Sequence, residues 1–576
     1  MIFNYTVKGE SYKLITGNEL ITEEIKRIES FADELKEISL VAGRGDFTAF
    51  QVLLGSDEAY TVNTGKHPYL SQNPFGKVNY RVAFDFPFAY EISYEYSAEE
   101  NGFHYNDMIS PIDVRDYPPR AVCALFVHIP VPKNAEMGEY SGKVKIFKQE
   151  LFEDEVLAGE ISVNLKICSF TFPAPKNRKF YLDLWQNYTT LAQHADVPLY
   201  SDAHFEIIDN YLASMEPLGQ RALTLVVSEV PWGGQSGWDT TDKGNLFKYS
   251  IIDVKKAENG IFEYNYTKMQ RYIDIGAKYG INSELSIYGL VNIWGKDMGG
   301  PAKDYPEKIR VRYFDEQTGS YRYMKEPSEI DAYIKAIEEY FIKTKQIDRV
   351  RVVADEPTDI EAFKKSVNHV HELAPAFRFK AAIVEPSFID EFGDIFDDFV
   401  PYLGCVTEKF DTLSMYIKEM PEKRYLWYVC CGPDHPNMFV RSPLEESYLI
   451  GILTSYFRLD GFLRWNYTEW PENPRVDLHF RQNWAVGDTT YVYPGYNGKP
   501  LLSLRYHALH RAIQFYELLE AYRRKKGVRA YNKLLTEIIR KKPEYKGKVY
   551  DFDGYEMPSA EALEEFYAKL LRALDS

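Results

Sequence analysis

The sequence lacks an excess of positive charge. Its 576 residues include 68 Lys and Arg against 85 Asp and Glu, which gives a formal net charge of −17. Nucleic acids and anionic membrane surfaces are bound largely through clustered Lys and Arg, so this balance argues against both as partners. The basic run at 523–526 ends a predicted helix, where cations complement the helix dipole.

Long apolar segments and metal-binding patterns are also missing. No stretch of about 18 uncharged apolar residues occurs, and no basic segment followed by an apolar one opens the chain. The scattered histidines form no metal-binding cluster. We therefore expect a cytoplasmic protein without membrane insertion, metal or other cofactor, and the sequence leaves its oligomeric state open. The cysteines lack the spacing of a disulfide framework or zinc site and are expected to be reduced: Cys123, Cys168, Cys405, Cys430 and Cys431.

Aromatic residues, in contrast, are abundant. The chain has 45 Tyr, 35 Phe and 8 Trp, together 15% of all residues. Tyr and Trp combine a flat apolar face with a polar edge, which suits a protein core and also suits sugar rings. With 45% apolar and 27% charged residues, the composition is that of a globular protein with a large core.

Two regions with different periodicity predict a multidomain protein of the β plus α/β class. Residues 1–172 contain short alternating runs separated by turns, which predict an N-terminal antiparallel β-sandwich. Pro173 and Pro175 then interrupt any strand ladder. In residues 173–576, short apolar runs alternate with amphipathic stretches, which predicts a (β/α)₈ TIM-type barrel followed by C-terminal helices packed on its flank. The eight candidate strands are 180–185, 222–230, 284–290, 350–354, 377–383, 405–407, 424–430 and 461–465.

The most specific local feature is a pair of adjacent carboxylates after the fourth candidate strand. Asp355 and Glu356 end a β-branched run and precede Pro357. Active sites of such barrels lie at the carboxyl ends of the strands, which favours a catalytic role. Both side chains can enter one site only if the chain leaves the ladder here, because neighbours in a regular strand face opposite sides. The alternative is that they cap the next helix, where Thr358 and Asp359 also offer capping oxygens.

The ends of other strands supply aromatic and polar residues to the same rim. Each has a structural alternative, since a rim tryptophan often packs and a rim amide often satisfies a loop carbonyl. A glycine-rich loop at 232–238, with Trp232 and Trp238, is a candidate lid. The candidate substrate-binding residues are Trp185, Asn187, Tyr288, Trp427, Tyr428, Arg464, Trp465, Asn466, Asp488 and Tyr493.

Several motifs occur in order along the chain: Ala354-Asp355-Glu356-Pro357, Leu426-Trp427-Tyr428, Cys430-Cys431-Gly432-Pro433, Gly461-Phe462-Leu463-Arg464-Trp465, Gly487-Asp488 and Tyr493-Pro494-Gly495. In these motifs the sequence resembles glycoside hydrolase family 123, which comprises β-N-acetylgalactosaminidases with an N-terminal β-sandwich and a (β/α)₈ catalytic domain. By this resemblance, Glu356 matches the general acid/base and Asp355 the carboxylate that orients the 2-acetamido group. It implies exo-acting removal of terminal β-linked N-acetylgalactosamine (GalNAc) from glycans, including glycosphingolipid-type oligosaccharides, by retaining, substrate-assisted catalysis through an oxazolinium ion.

Two alternatives to this function stay open at the sequence level. A β-hexosaminidase with another sugar preference would use the same acetamido chemistry, because that chemistry does not read the C4 hydroxyl. A non-catalytic glycan-binding protein would keep the aromatic rim, but it has no need for the paired Asp355 and Glu356.

Overall fold

A computed structural model describes residues 2–17, 21–65, 78–231, 247–291, 309–357, 360–479, 484–539, 544–546, 549–551 and 558–575. Over these residues, none of the helices combines the length and apolar character needed to cross a membrane.

The N-terminal region consists of two six-stranded sheets. The first has the order β1-β4-β10-β7-β8-β2 and the second β3-β12-β11-β6-β5-β9. The elements are β1 (Phe3–Gly9), β2 (Ile15–Thr16), α1 (Ile21–Ser30), β3 (Glu37–Arg44), β4 (Phe47–Ser56), β5 (Tyr60–Asn63), β6 (Val78–Asp85), β7 (Glu91–Glu100), β8 (Phe103–Ser110), β9 (Val114–Tyr117), β10 (Val122–Pro130), β11 (Gly138–Glu150) and β12 (Val156–Thr171).

The predicted antiparallel character of this region is confirmed, with two exceptions. All pairs in the first sheet are antiparallel, whereas β3–β12 and β5–β6 in the second are parallel. One hydrophobic core takes side chains from both sheets, including Phe50 and Val52 of β4 and Ile161 of β12. The alternation of apolar residues along these strands explains that core, because one face of each strand points inward.

The second region alternates strands and helices, as predicted. Its elements up to residue 464 are β13 (Tyr181–Leu184), α2 (Tyr188–Ala195), α3 (Asp202–Met215), β14 (Ala222–Val226), β15 (Val230–Pro231), β16 (Phe247–Lys248), β17 (Asp253–Lys256), β18 (Phe262–Asn265), α4 (Thr267–Lys278), β19 (Glu284–Tyr288), β20 (Arg312–Asp315), β21 (Ser320–Tyr323), α5 (Pro327–Lys343), β22 (Val350–Asp355), α6 (Ile360–Leu373), β23 (Arg378–Ile383), α7 (Phe388–Phe392), β24 (Phe396–Pro401), α8 (Leu403–Glu408), α9 (Phe410–Glu419), β25 (Arg424–Tyr425), α10 (Leu444–Tyr456) and β26 (Gly461–Arg464).

Eight of these strands run parallel to their neighbours. A six-stranded sheet has the order β14-β19-β22-β23-β24-β25, and β13 pairs with β26. The two groups are linked on both sides by backbone hydrogen bonds, Arg221 N to Leu182 O at 3.0 Å and Leu463 N to Trp427 O at 2.8 Å. The carboxyl ends of all these strands therefore face the same side.

The sixth strand lies elsewhere than predicted. Residues 405–407 belong to helix α8, and the strand is β24, Phe396–Pro401. Its two aspartates break the apolar pattern that marks a buried strand. Asp398 is nevertheless buried, since Arg351 and Arg424 form ion pairs with it at 2.5 and 2.7 Å.

Helices and short strands follow β26, and the last helix packs differently from the prediction. α13 contacts β3 and β12 of the N-terminal region as well as α11, so it does not lie only on the flank of the parallel strands. Its Tyr567 hydroxyl donates to buried Asp46 of the N-terminal region at 2.7 Å. The elements are β27 (Tyr493–Pro494), β28 (Pro500–Leu501), α11 (Leu504–Lys526), α12 (Val528–Leu535), β29 (Glu544–Lys546), β30 (Val549–Asp551) and α13 (Ala560–Asp575).

Candidate active site

Asp355 and Glu356, the acidic pair, lie at the carboxyl end of β22. Asp355 is still in the ladder opposite Ala382 of β23, whereas Glu356 has a left-handed backbone with φ of 45°. This conformation costs a non-glycine residue about 1–3 kcal/mol and persists where surrounding structure enforces it, often at active sites. It changes the direction of the chain between the two residues, as sequence reasoning required for both carboxyls to reach one site.

Burial raises the pKa of both carboxyls of the acidic pair. Asp355 and Glu356 keep some solvent-accessible surface, but protein atoms surround most of each carboxyl. For Asp355, burial is the larger cause of a pKa well above the ordinary value, and the Glu356 charge adds to it. Burial also raises the pKa of Glu356. Two adjacent carboxyls in such a site ionise together only at a large cost, so the pair retains a proton to higher pH than a solvated carboxyl would.

Tyr428 contacts Glu356 of the acidic pair. Its hydroxyl donates a hydrogen bond to Glu356 Oε1, which partly opposes the effect of burial on the pKa of Glu356. Tyr428 follows β25 and forms isolated parallel bridges with Tyr402 and Leu463, so the backbone on both sides fixes its position. The predicted substrate-binding residue Tyr428 thus contacts the acid directly.

Asp488 and Arg464 form a buried ion pair next to Trp465. Arg464 Nη2 lies 3.0 Å from Asp488 Oδ1, and the Trp465 indole N–H donates to the same oxygen at 3.4 Å. Gly487 has φ of +88°, and a Cβ there would lie 2.8 Å from Val440 Cγ2, which explains the glycine before Asp488. Asp488 Oδ2 is buried without a hydrogen bond partner in the described part of the chain.

Two predicted amides are buried with unused hydrogen-bonding atoms. Neither Nδ2 nor Oδ1 of Asn466 has a partner within the described residues, although the residue is fully buried. Asn187 caps α2 by accepting from Thr190 N at 3.5 Å, and its Nδ2 has no partner within the same ranges. Buried polar atoms are normally satisfied, so such atoms are candidates for ligand contact.

Trp185 and Tyr288 form an aromatic pair beside the acidic pair. Their rings meet edge to face with centroids 5.5 Å apart. Tyr288 ends β19 and lies opposite Val353, two residues before Asp355. Burial, followed by the charges of Asp355 and Glu356, raises the pKa of Tyr288 well above its ordinary value.

The structure places two predicted substrate contacts elsewhere. Trp427 is completely buried, where its indole N–H donates to Thr454 of α10 at 2.7 Å and its ring packs on Phe462. Tyr493 donates to Asp107 of the N-terminal region at 2.5 Å. Trp427 therefore packs between a strand and a helix, and Tyr493 joins the two regions, rather than lying on the rim as expected.

Two other predictions fall outside the described residues. They are the glycine-rich lid with Trp232 and Trp238, and the alternative that the acidic pair caps the next helix, because Thr358 and Asp359 before that helix are not among the described residues. Across the ranges that the structure describes, no group of three or more His, Cys, Asp or Glu is arranged to hold a metal ion.

Asn437 is a site residue that sequence reasoning missed. Its Oδ1 accepts from Arg464 Nη1 at 3.4 Å, and its Nδ2 donates to the carbonyls of Cys430 and Pro433 at 3.0 and 2.6 Å. Asn437 therefore ties the Cys430–Pro433 loop to the ion pair of Arg464. No strand or helix pattern marks it, because it lies in an irregular segment between two prolines and a helix.

Comparison with solved structures gives a near-full-length match. A family 123 glycoside hydrolase from Clostridium perfringens has 17% sequence identity and a TM-score of 0.73, covering 100% of this chain and 97% of its own. This match shows that the two chains share a fold. A match to an α-amylase from Lactobacillus plantarum, at 13% identity, covers 60% of this chain and 80% of the amylase. Its TM-score of 0.28 is too low to support a conclusion.

Sequence comparisons identify the family. No curated protein sequence matches the chain. The family model for the glycoside hydrolase 123 catalytic domain matches residues 185–522, which are more than half of the chain and include the acidic pair. The chain therefore belongs to glycoside hydrolase family 123 and is a glycosidase.

Proposed function

We propose that the enzyme removes terminal β-linked GalNAc from glycans by substrate-assisted, retaining catalysis. The observation that carries this proposal is the acidic pair: two consecutive carboxyls at one strand end, one in the ladder and the next in a left-handed conformation. The C. perfringens relative, whose structural analysis concerns glycolipid glycan hydrolysis, supports glycolipid-type oligosaccharides as substrates.

Glu356 is the proposed general acid. Because its pKa is raised, the Glu356 carboxyl keeps its proton to higher pH than a solvated carboxyl and can donate it to the leaving glycosidic oxygen. After departure of the aglycone, the same group accepts a proton from the water that completes hydrolysis. The Tyr428 hydroxyl stabilises the carboxylate that Glu356 becomes when its proton has left.

Asp355 is the proposed partner of the 2-acetamido group. In direct retaining displacement, two carboxyls face the anomeric carbon from opposite sides, about 5–5.5 Å apart, and one bonds to it. Consecutive residues at one strand end approach the sugar from the same region, so another nucleophile is required. The acetamido oxygen can attack the anomeric carbon, and an ionised Asp355 would stabilise the positive charge that develops on the amide nitrogen.

Substrate binding would also determine which carboxyl of the acidic pair carries the proton. In the free enzyme, the Tyr428 hydrogen bond favours the ionised form of Glu356, and Asp355 has the more strongly raised pKa. An acetamido N–H that donates to Asp355 would favour the ionised form of Asp355 instead. The proton would then belong to Glu356, where the leaving group needs it.

The remaining candidate residues form the proposed sugar site. Trp465 is the partly exposed aromatic among them and is the proposed sugar platform, with Asp488 and Asn466 supplying the unpaired polar atoms. We leave Trp427 and Tyr493 out of this set because their polar atoms are used elsewhere.

We also propose that the eight parallel strands around the site form a closed barrel. The backbone hydrogen bonds that link β13 to residues next to β14, and β26 to residues after β25, support closure of the eight strands into a (β/α)₈ barrel. Residues 1–172 and 173–576 are the proposed domains. The cytoplasmic location stays a prediction.

Parallel assays with nitrophenyl glycosides test the function. Release of nitrophenol from β-GalNAc, β-GlcNAc and β-Gal substrates separates the candidates. The proposal expects cleavage of β-GalNAc, with β-Gal a very poor substrate. Preference for β-GlcNAc would indicate the hexosaminidase alternative, and binding of glycans without any turnover would indicate a non-catalytic member of the family.

A further inference from the structure

Two adjacent cysteines lie next to the acidic pair. Cys430 and Cys431 come shortly after Tyr428, the tyrosine that donates to Glu356. Both thiols are within electrostatic range of the Glu356 and Asp488 carboxyls. The two cysteines therefore belong to the surroundings of the catalytic site, although the proposed mechanism uses neither thiol.

The two thiols are close enough to react with each other. Their sulfur atoms lie 3.8 Å apart, with a hydrogen bond between them. Cys431 is exposed and Cys430 is half-buried, so a small reagent in solution can reach the pair. A relative movement of about 2 Å would bring the sulfurs to the bonding distance of a disulfide.

The hydrogen bond between the thiols makes them chemically unequal. Accepting it lowers the pKa of Cys431, although burial and the charges of Asp488 and Glu356 oppose this effect. Donating it raises the pKa of Cys430 well above its ordinary value, and burial adds to the rise. The thiolate is the nucleophilic form of cysteine, so Cys431 is the thiol that attacks first, and Cys430 is in place to react with the product.

The other three cysteines lack this reactivity. Cys123, Cys168 and Cys405 are buried, and burial raises the pKa of each thiol to about 12. Buried thiols of this kind are inert, so a thiol reagent should distinguish the adjacent pair from them.

The peptide bond between the two cysteines supports the catalytic site. The Cys430 carbonyl accepts from Asn437 Nδ2 at 3.0 Å, and Asn437 Oδ1 accepts from Arg464 Nη1 at 3.4 Å. Arg464 in turn forms the buried ion pair with Asp488. A disulfide between adjacent residues closes a small ring that contains this peptide bond, so its formation would turn the Cys430 carbonyl and disturb the contacts that hold Asp488.

We propose that Cys430 and Cys431 are a site of reversible oxidation, which joins them in a disulfide and slows catalysis. The oxidant is a low-molecular-weight disulfide such as oxidised glutathione. The Cys431 thiolate attacks one sulfur of this disulfide, which forms a mixed disulfide and releases one thiolate. Cys430 then loses its proton to solvent and attacks Cys431 Sγ, which releases the second thiolate. The protein pair is oxidised by two electrons, and the small disulfide is reduced to two thiols.

The disulfide should be easily reduced again. Adjacent Cα atoms lie about 3.8 Å apart across a trans peptide bond, which is below the range of roughly 4.4–6.8 Å usual for disulfides. Strained or exposed disulfides have higher reduction potentials and are the labile, regulatory ones. A thiol such as reduced glutathione would therefore return the enzyme to its active form.

Oxidation of the intact enzyme tests the proposal. The wild type, Cys430→Ser, Cys431→Ser and the control Cys405→Ala are each treated with oxidised glutathione, and mass spectrometry after alkylation locates the modified cysteines. We expect the Cys430–Cys431 disulfide in the wild type and in Cys405→Ala, which keeps the pair. Cys430→Ser should stop at glutathione bound to Cys431, and Cys431→Ser should stay largely reduced.

Activity is measured on the same samples with aryl β-GalNAc. Oxidation of the wild type should lower kcat/KM by at least about tenfold, because small displacements of catalytic groups have effects of this size. Dithiothreitol should restore the activity. Cys431→Ser should match the reduced wild type before treatment and keep its activity afterwards.

Three results would overturn the proposal: a wild type whose pair stays reduced, a disulfide that forms without lowering activity, or an equal loss of activity in Cys431→Ser. The mass spectra need no substrate, so they separate this proposal from the proposed function. An enzyme that forms the disulfide but leaves aryl β-GalNAc intact when reduced would refute the proposed terminal sugar and keep the oxidation site, and the loss of activity would then be measured on the glycoside that it cleaves.

Discussion

Replacing Tyr428 with phenylalanine removes one hydrogen bond from the proposed acid and keeps the ring that packs beside Tyr402. The Tyr428 hydroxyl stabilises the charged form of Glu356, so its loss should raise the pKa of Glu356. A hydrogen bond to a charged group contributes about 1.5–3 kcal/mol. Since about 1.36 kcal/mol corresponds to one pKa unit, the pKa should rise by about one to two units.

The assay is the pH dependence of kcat/KM on an aryl β-GalNAc substrate. A general acid works only when protonated, so activity falls as pH rises through its pKa. In Tyr428→Phe, the alkaline limb of the profile should therefore move to higher pH. Tyr467→Phe is a matched control, because the Tyr467 hydroxyl is also buried but contacts Ser214 Oγ at 2.8 Å instead of a carboxyl.

An alkaline limb that stays in place, or moves to lower pH, would refute this reasoning about Glu356. A movement of equal size in Tyr467→Phe would show that the loss of any buried tyrosine hydroxyl disturbs the site, so that the effect could not be assigned to the hydrogen bond with Glu356.

Three further predictions follow from the same structure. Glu356→Gln should lose more activity on a natural glycan than on an aryl glycoside with an acidic leaving group, which needs little protonation; equal losses would remove Glu356 from the acid role. Lys380→Met should lower the free energy of unfolding in urea by about 3–5 kcal/mol, because it leaves buried Asp183 without its cation and leaves buried Glu284 with Arg424 alone. Lys569→Met, at an exposed pair with Glu537, should change it by about 0.5 kcal/mol or less, and similar values for both variants would contradict the reasoning. Limited proteolysis should leave 172–180 intact although Lys176 and Asn177 are exposed, because Phe172 and Phe180 are each 1% exposed and Glu517 accepts from the backbone N–H groups of Lys179 and Phe180. A first cut there would show that the two regions separate in solution.

The strand before the acidic pair could be predicted from the sequence because its residues are those expected of a buried strand. Residues 350–354 are apolar or β-branched apart from Arg351, and the structure has a strand at Val350–Asp355. β24 was missed because Asp397 and Asp398 look exposed in the sequence. Only the arginines that the fold brings to Asp398 from β22 and β25 make its burial acceptable, and that pairing cannot be read from local periodicity.

The place of the candidate site in the fold could be predicted from the sequence, whereas the contacts of its residues could not. Strand ends pointed to the acidic pair, and Tyr428 and Trp465 were named from the same argument. Trp427 was indistinguishable from a platform residue because adjacent strand residues alternate in direction, and the sequence does not say which one meets α10. The contact between Tyr493 and Asp107 joins residues nearly four hundred positions apart, which no spacing argument can anticipate.

The central claim is that the substrate's own acetamido oxygen attacks the anomeric carbon with Asp355 stabilising the charge. Aryl β-GalNAc substrates whose acetyl methyl group carries zero, one, two or three fluorines test it most directly, because fluorine weakens the carbonyl oxygen as a nucleophile and leaves the rest of the sugar in place. The account predicts that kcat/KM falls stepwise with each fluorine. Rates that stay level across the series would contradict it.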